Sequence, residues 1–147
     1  MTKPIAVIIG VGDGLSAALA RNLMADYALT LAARSADKMQ ALADETGART
    51  VLLDATDESA VAALFNDLPE APRVAIYNPS ARVRGPITDL SAEDVRRAVD
   101  VTAIGSFLTG KHAARRMLEA EAIDGTKGTI LFTGASAGVK GFSQSAP

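Results

Sequence analysis

The chain alternates short apolar runs with stretches in which apolar residues recur at helical spacing. Ile5–Ile9 is an unbroken aliphatic run, and Pro4 is tolerable at the start of a strand. Leu15, Ala18, Leu19 and Leu23 then share one face of a helix that reaches about Asp26. Leu29–Ala33 is a second strand, followed by a helix that Ser35 can cap and that ends before Gly47, a residue suited to a left-handed helix terminus. Thr50–Leu53 is the third strand. Thr56 is the expected cap of the next helix, with Asp57 and Glu58 favourably placed in its first turn. Val61, Leu64, Phe65 and Leu68 form the buried stripe of that helix, and Pro69 and Pro72 end it. Val74–Tyr77 is the fourth strand. Ser91 and Asp94 fit a capping box that opens a helical region to about Ala122, either two helices or one long bent one. Asp124-Gly125 breaks it, and Thr129–Thr133 is the fifth strand.

This order, β-α-β-α-β-α-β-α-β, predicts a doubly wound parallel sheet with right-handed crossovers and helices on both faces, a three-layer α/β/α arrangement of the Rossmann-like kind. Composition agrees. Hydrophobic residues make up 48% of the 147 and aromatics only 4%, the aliphatic core that a buried parallel sheet needs. A single domain over residues 1–147 is expected, large enough to bury roughly 70% of its unfolded surface. The formal net charge of -2 offers no electrostatic reason to bind nucleic acid or an anionic membrane surface. No run approaches membrane-spanning length and there is no cysteine, so a cytoplasmic protein without disulfide or thiolate chemistry is the expectation. His112 is the one histidine, set beside Lys111 and Arg115, and reads as a surface or packing residue rather than a metal ligand.

In such sheets ligands sit beyond the carboxyl ends of the strands, near the point where strand order reverses. The first strand ends in Gly10-Val11-Gly12-Asp13-Gly14-Leu15-Ser16. Glycines there permit a tight turn and close approach to a diphosphate, and the helix that follows turns its free N–H groups and positive dipole end toward the anion. The bland alternative is an ordinary strand–helix connection. Ser16 stands where a third glycine is common, and its hydroxyl can bond a phosphate oxygen; Asp13 is better suited to cap the first helix than to face an anion. About 20 residues beyond the turn, Ala33-Arg34-Ser35 presents an arginine where NAD-binding chains carry a carboxylate for the ribose hydroxyls. That favours the 2′-phosphate of NADP(H) over NAD(H), unless Arg34 is merely a solvated surface residue. Asp54, before Ala55, can accept the adenine amino group or cap the next helix. Asn78-Pro79-Ser80 follows the fourth strand and can border the ribose, and Thr133-Gly134-Ala135-Ser136 follows the fifth, facing the nicotinamide position.

Taken in order and spacing, these residues resemble the short-chain dehydrogenase/reductase family over the whole chain. The resemblance rests on the glycine turn, Ala33-Arg34, Asp54, Tyr77-Asn78-Pro79-Ser80, Val101-Thr102-Ala103-Ile104-Gly105 and Gly128–Thr133. It implies an NADP-linked oxidoreductase acting on a small carbonyl or alcohol substrate, often assembled as a homodimer or homotetramer. It also implies a coenzyme site drawn from Gly10, Gly12, Asp13, Gly14, Leu15, Ser16, Arg34, Ser35, Asp54, Ala55, Asn78, Pro79, Ser80, Thr102 and Thr133. The chain departs from the family pattern at several points. Tyr77-Asn78-Pro79-Ser80 replaces the usual Asn-Asn-Ala-Gly, and Thr102 stands where a proton-relaying asparagine often occurs. Ala135 aligns with the serine that holds the substrate oxygen, leaving Ser136, one step on, as the catalytic candidate or a loop hydroxyl bonded to backbone. The family's Tyr-x-x-x-Lys pair would begin with the first residue after Pro147, and neither Tyr27 nor Tyr77 is placed to substitute. A longer enzyme of which this is the N-terminal part is therefore expected, with an inactive nucleotide-binding module or a structural fragment as alternatives.

Overall fold

Ile5–Ile9 forms β1, and every one of its residues is buried, as the centre of a sheet covered on both faces requires. The computed structural model describes residues 2–144. After β1 come α1 (Leu15–Leu23), β2 (Ala28–Ala33), α2 (Asp37–Thr46), β3 (Arg49–Leu52), α3 (Glu58–Asn66), β4 (Val74–Tyr77), α4 (Ala92–Val99), α5 (Gly105–Glu119) and β5 (Thr129–Phe132). The five strands lie in the order β3-β2-β1-β4-β5, and all four neighbouring pairs are parallel. This is the doubly wound α/β architecture expected of the alternation. Strand order reverses between β1 and β4, where Ile9 is level with Ala32 on one side and Tyr77 on the other.

Period-two alternation along each strand divides the core in two. Val7, Ile9, Ala75 and Tyr77 face the side covered by α3 and α5, packing with Phe65, Leu108, Ala113 and Met117. Ala6, Ile8, Leu31 and Ile76 face the other side, against Ala17 and Ala20 of α1 and Met39 and Leu42 of α2. Alanines at 17 and 20 let α1 lie close on β1. Arg116 of α5 reaches across to α3, donating from Nε to Phe65 O (3.1 Å) and from Nη2 to Leu68 O (3.2 Å). These are carbonyls at and just beyond the end of α3, where a cation is favoured. His112 is buried on α5, with Nε2 3.7 Å from Glu58 Oε1, beyond hydrogen-bond range; it is a packing residue.

Several helix boundaries differ from expectation for local reasons. Ser35 does not cap α2: Ala36 stands at the cap in helical geometry with no side-chain bond, although Gly47 does close the helix with φ 68°. Asp57, not Thr56, caps α3, accepting from Ala60 N at 3.1 Å. Ser91 does cap α4 by accepting from Asp94 N. Helix α1 stops at Leu23 rather than Asp26, and α5 stops at Glu119 rather than Ala122. Beyond it, Asp124 and Gly125 take φ of 51° and 78°, the pattern of a type I′ turn, and the bridge between Ile123 and Thr126 closes it. The helical region from residue 92 is continuous but not uniform. A π-helical turn over Asp100–Ile104 joins α4 to α5.

Candidate functional site

The carboxyl ends of β1, β2, β3 and β4 open onto a cleft of about 350 Å³ at the strand-order reversal. It is lined by the turn after β1 (Gly10, Val11, Gly12, Gly14, Leu15, Ser16), by Ala33, Arg34, Ser35 and Lys38, by Leu53–Thr56, by Asn78–Ser80, and by Val101. The structure thus brings together twelve of the fifteen residues that the sequence proposes for a coenzyme. Asp13, Thr102 and Thr133 are not among the lining residues, nor is Ser136.

The turn is shaped by one glycine and left open by two others. Gly10 has φ +87°, and a side chain there would overlap Asn78 and Pro79, with Pro79 Cδ only 2.6 Å from its Cβ. Gly12 and Gly14 are different, because a methyl group on either would meet nothing within 4 Å. The space above them is free for a ligand, and the first N–H groups of α1 have no intrahelical acceptors. Asp13 does not cap α1; Gly14 occupies the cap position, and no side chain bonds there. Ser16 also differs from expectation. Its hydroxyl is buried and donates to Gly10 O at 2.9 Å, so its single proton is not free for a phosphate oxygen.

At the β2–β3 end the cleft is cationic. Arg34 follows β2, and Lys38 rises beside it from the first turn of α2. Asp54 lies opposite. Its Oδ1 accepts from Thr56 N (2.9 Å) and from Thr56 Oγ1 (2.7 Å), so the carboxylate folds its own loop rather than capping α3. Those two bonds hold the Asp54 carboxyl below the usual carboxylate range against the opposing effect of partial burial, with the Arg34 charge adding to them.

At the β4 end, Tyr77 is almost fully buried and its hydroxyl donates to Val101 O in the π-helical turn. Burial, with the Asp54 charge adding to it, pushes the phenol up to about 12. A side chain on Gly105 would overlap the same phenol, so glycine there lets the helix close on Tyr77. This contact holds Val101 at the cleft while Thr102, the next residue, faces out and is exposed. Thr133 Oγ1 donates to Tyr77 O at 3.1 Å. Ser136 opens an exposed 3-10 turn, and its carbonyl accepts from Val139 and Lys140. The position after Pro147 lies outside the described residues.

Lys38, Thr56, Val101 and Val11 line the cleft without having been singled out as ligand contacts. Arg34 lies before α2 rather than in it, so no helical spacing linked Lys38 to it in the sequence; packing of the first turn of α2 brings Lys38 to the cleft. Among the described residues no group of three or more His, Cys, Asp or Glu could hold a metal ion, and no helix is long and apolar enough to cross a membrane.

The arrangement suits an extended, phosphate-bearing ligand, and the comparisons with known proteins agree. The sequence profile of short chain dehydrogenase matches residues 4–147. Meso-2,3-butanediol dehydrogenase of Serratia marcescens is 29% identical over 144 residues, covering 93% of this chain and 55% of its own. A crystal structure of a short-chain dehydrogenase from Rhodopseudomonas palustris superposes with a TM-score of 0.84 at 30% identity, over 96% of this chain and 68% of that one. A crystal structure of BdcA in complex with NADPH superposes at 0.79 with 27% identity, over 95% and 55%. The chain spans 55% of the butanediol dehydrogenase and smaller shares of other curated relatives. Sequence profile, strand order and the glycine turn at the reversal point agree: the chain belongs to the short chain dehydrogenase family.

Proposed function

We propose that this chain forms the coenzyme-binding part of an NADP(H)-dependent oxidoreductase that exchanges hydride with a small carbonyl or alcohol substrate. The observation that carries this reading is the cleft itself, with open space over Gly12 and Gly14 at one end and the Arg34–Lys38 pair at the other. The N–H groups at the start of α1 take the diphosphate, and Arg34, Ser35 and Lys38 take the 2′-phosphate, since a guanidinium and an ammonium together favour that extra dianion. Ala55 and the Asp54 loop border the adenine, while Asn78, Pro79, Ser80 and Val101 border the ribose toward the nicotinamide. When bound, the coenzyme supplies or accepts the hydride. Ser136, by a small movement of its exposed turn, is the candidate partner for the substrate oxygen. The structural likeness to BdcA, which was crystallised with NADPH, supports the same coenzyme class. A cytoplasmic location and assembly as a homodimer or homotetramer complete the reading.

Calorimetric titration with NADPH, NADP, NADH and NAD tests it. NADPH or NADP should bind more tightly than the forms lacking the 2′-phosphate. Arg34→Ala should weaken NADPH by about 1.5–3 kcal/mol, the loss of a charge-assisted bond, and leave NADH nearly unchanged. Equal weakening of both overturns the NADP(H) assignment, and no binding of any of the four overturns the coenzyme reading. A second reading, a nucleotide-binding module without chemistry, draws on the exposed positions of Thr102 and Ser136 outside the cleft lining. It predicts coenzyme binding without turnover in a chain extended past Pro147, measured as NADPH absorbance with a panel of carbonyl substrates.

A further inference from the structure

We propose that Ser16 and Asn78 are positioning residues that hold the turn after β1 in its ligand-ready shape before the coenzyme arrives, and that the Ser16 hydroxyl does not touch the diphosphate. The proposal rests on the coenzyme reading above and assigns Ser16 a different role from the phosphate contact its position suggests.

The Ser16 hydroxyl has one proton to donate, and its neighbours fix where that proton goes. Ser16 Oγ lies 2.9 Å from Gly10 O, an atom that only accepts, so the hydroxyl proton is committed there. Asn78 Nδ2 lies 2.7 Å from Ser16 Oγ on the other side and supplies a proton to its lone pair. The result is a relay, Asn78 amide to Ser16 hydroxyl to Gly10 carbonyl, joining the loop after β4, the first turn of α1 and the end of β1. Both ends are anchored independently. Asn78 N donates to Ile9 O at 2.9 Å, and Gly10 N donates to Ala32 O at 2.9 Å. The relay closes a ring around the one residue of the turn whose positive φ and contact with Pro79 leave it no alternative shape. Ser16 is 1% exposed, which strengthens each bond and keeps water from competing for it.

A glycine at position 16 would supply neither atom of this relay. The turn would then depend on its ligand for order, and that ordering would be subtracted from the binding free energy. With the relay in place the turn is already formed, so the contribution of Ser16 to affinity passes through Gly10 and Asn78 rather than through contact with phosphate.

The test is a double-mutant cycle on NADPH affinity, using Ser16→Gly, Asn78→Ala and the double variant, with amide hydrogen exchange of the turn followed without nucleotide. Each single variant should weaken NADPH about fivefold to tenfold, the scale of one buried hydrogen bond. The double variant should be no weaker than the worse single, because both remove the same relay. Amides in residues 10–14 should exchange faster in all three variants than in the parent chain. Fold-changes that multiply in the double variant, or an effect of Ser16→Gly with none of Asn78→Ala, overturn the proposal and return Ser16 to the phosphate. Lower melting temperatures with unchanged NADPH affinity also overturn it, since they show a purely structural bond. Should Asn78→Ala fail to fold, Ser16→Gly decides alone: faster exchange at the turn supports the relay, and unchanged exchange overturns it. A parent chain that binds none of the four nucleotides overturns the coenzyme reading instead, while the exchange comparison still reads whether the relay holds the turn.

Discussion

β1 and β5 are both short aliphatic runs, and the structure treats them in opposite ways. Ile5–Ile9 is buried along its whole length between β2 and β4, whereas Thr129–Phe132 has only β4 beside it among the described residues and leaves Leu131 and Phe132 about half exposed. The pattern of apolar residues specifies a strand in both places. What it does not specify is the neighbour, and the neighbour decides how much each residue stabilises the fold. The difference extends to chemistry. The turn after β1 is held from three directions and borders the cleft, while the segment after β5 is an exposed 3-10 turn whose only catalytic candidate, Ser136, stands outside it.

The sharpest way to break this comparison is to truncate one phenylalanine on each side. Phe65 of α3 is fully buried against the β1 face, and Phe132 of β5 is exposed on one side and lies against Gly110 on the other. Phe65→Ala should cost about 3–5 kcal/mol, from lost burial and the cavity left behind. Phe132→Ala should cost less than about 1 kcal/mol, in the range of partly exposed positions. Urea unfolding of both variants checks the pair. Similar losses would mean that the β5 face is covered in solution.

The next contrast lies within the turn itself. Gly10→Ala combines a positive φ with overlap on Pro79 and should destabilise by about 2–4 kcal/mol. Gly12→Ala meets no neighbour and should change stability by less than about 0.5 kcal/mol, while weakening NADPH because the new methyl group occupies the free space over the turn. Melting curves and nucleotide titration of the two variants separate a glycine required by the fold from one required by the ligand. If Gly12→Ala binds NADPH as the parent chain does, the diphosphate does not pack there.

The same two regions show what is legible in the sequence. The strands and the sheet are, because short apolar runs such as Ile5–Ile9 and Val74–Tyr77 alternate with segments whose apolar residues recur at helical spacing. The glycine turn and Arg34 are legible because each lies at the end of a strand. Helix starts are less so. Ser35 and Thr56 are good capping residues by type, but the chain enters α2 already helical at Ala36, and Asp54 engages Thr56 and leaves the cap of α3 to Asp57. Lys38 reaches the cleft only because the first turn of α2 runs beside Arg34, a fact of packing and not of pattern. The π-helical turn is further from view still, since the bond from Tyr77 to Val101 comes from a different strand.

That bond supports the smallest prediction, and it links stability to the cleft. Tyr77→Phe removes a single buried hydrogen bond and should cost about 1 kcal/mol near neutral pH. Its pH dependence is more telling. The phenol is raised from an ordinary value of 10.0 to about 12, so the folded state keeps its proton after the unfolded chain has begun to lose it. The stabilising contribution of Tyr77 is therefore complete below about pH 10 and is lost as pH rises through about 12. Any other group that titrates in this window does so in both proteins, so the difference between the parent chain and Tyr77→Phe isolates the phenol. That difference should shrink or reverse sign across the window, because ionisation breaks the donation to Val101 that the variant never makes. A gap that stays constant from about pH 9 to about pH 12 would place the Tyr77 hydroxyl in water, and the π-helical turn would then owe its shape to the packing of Gly105 alone.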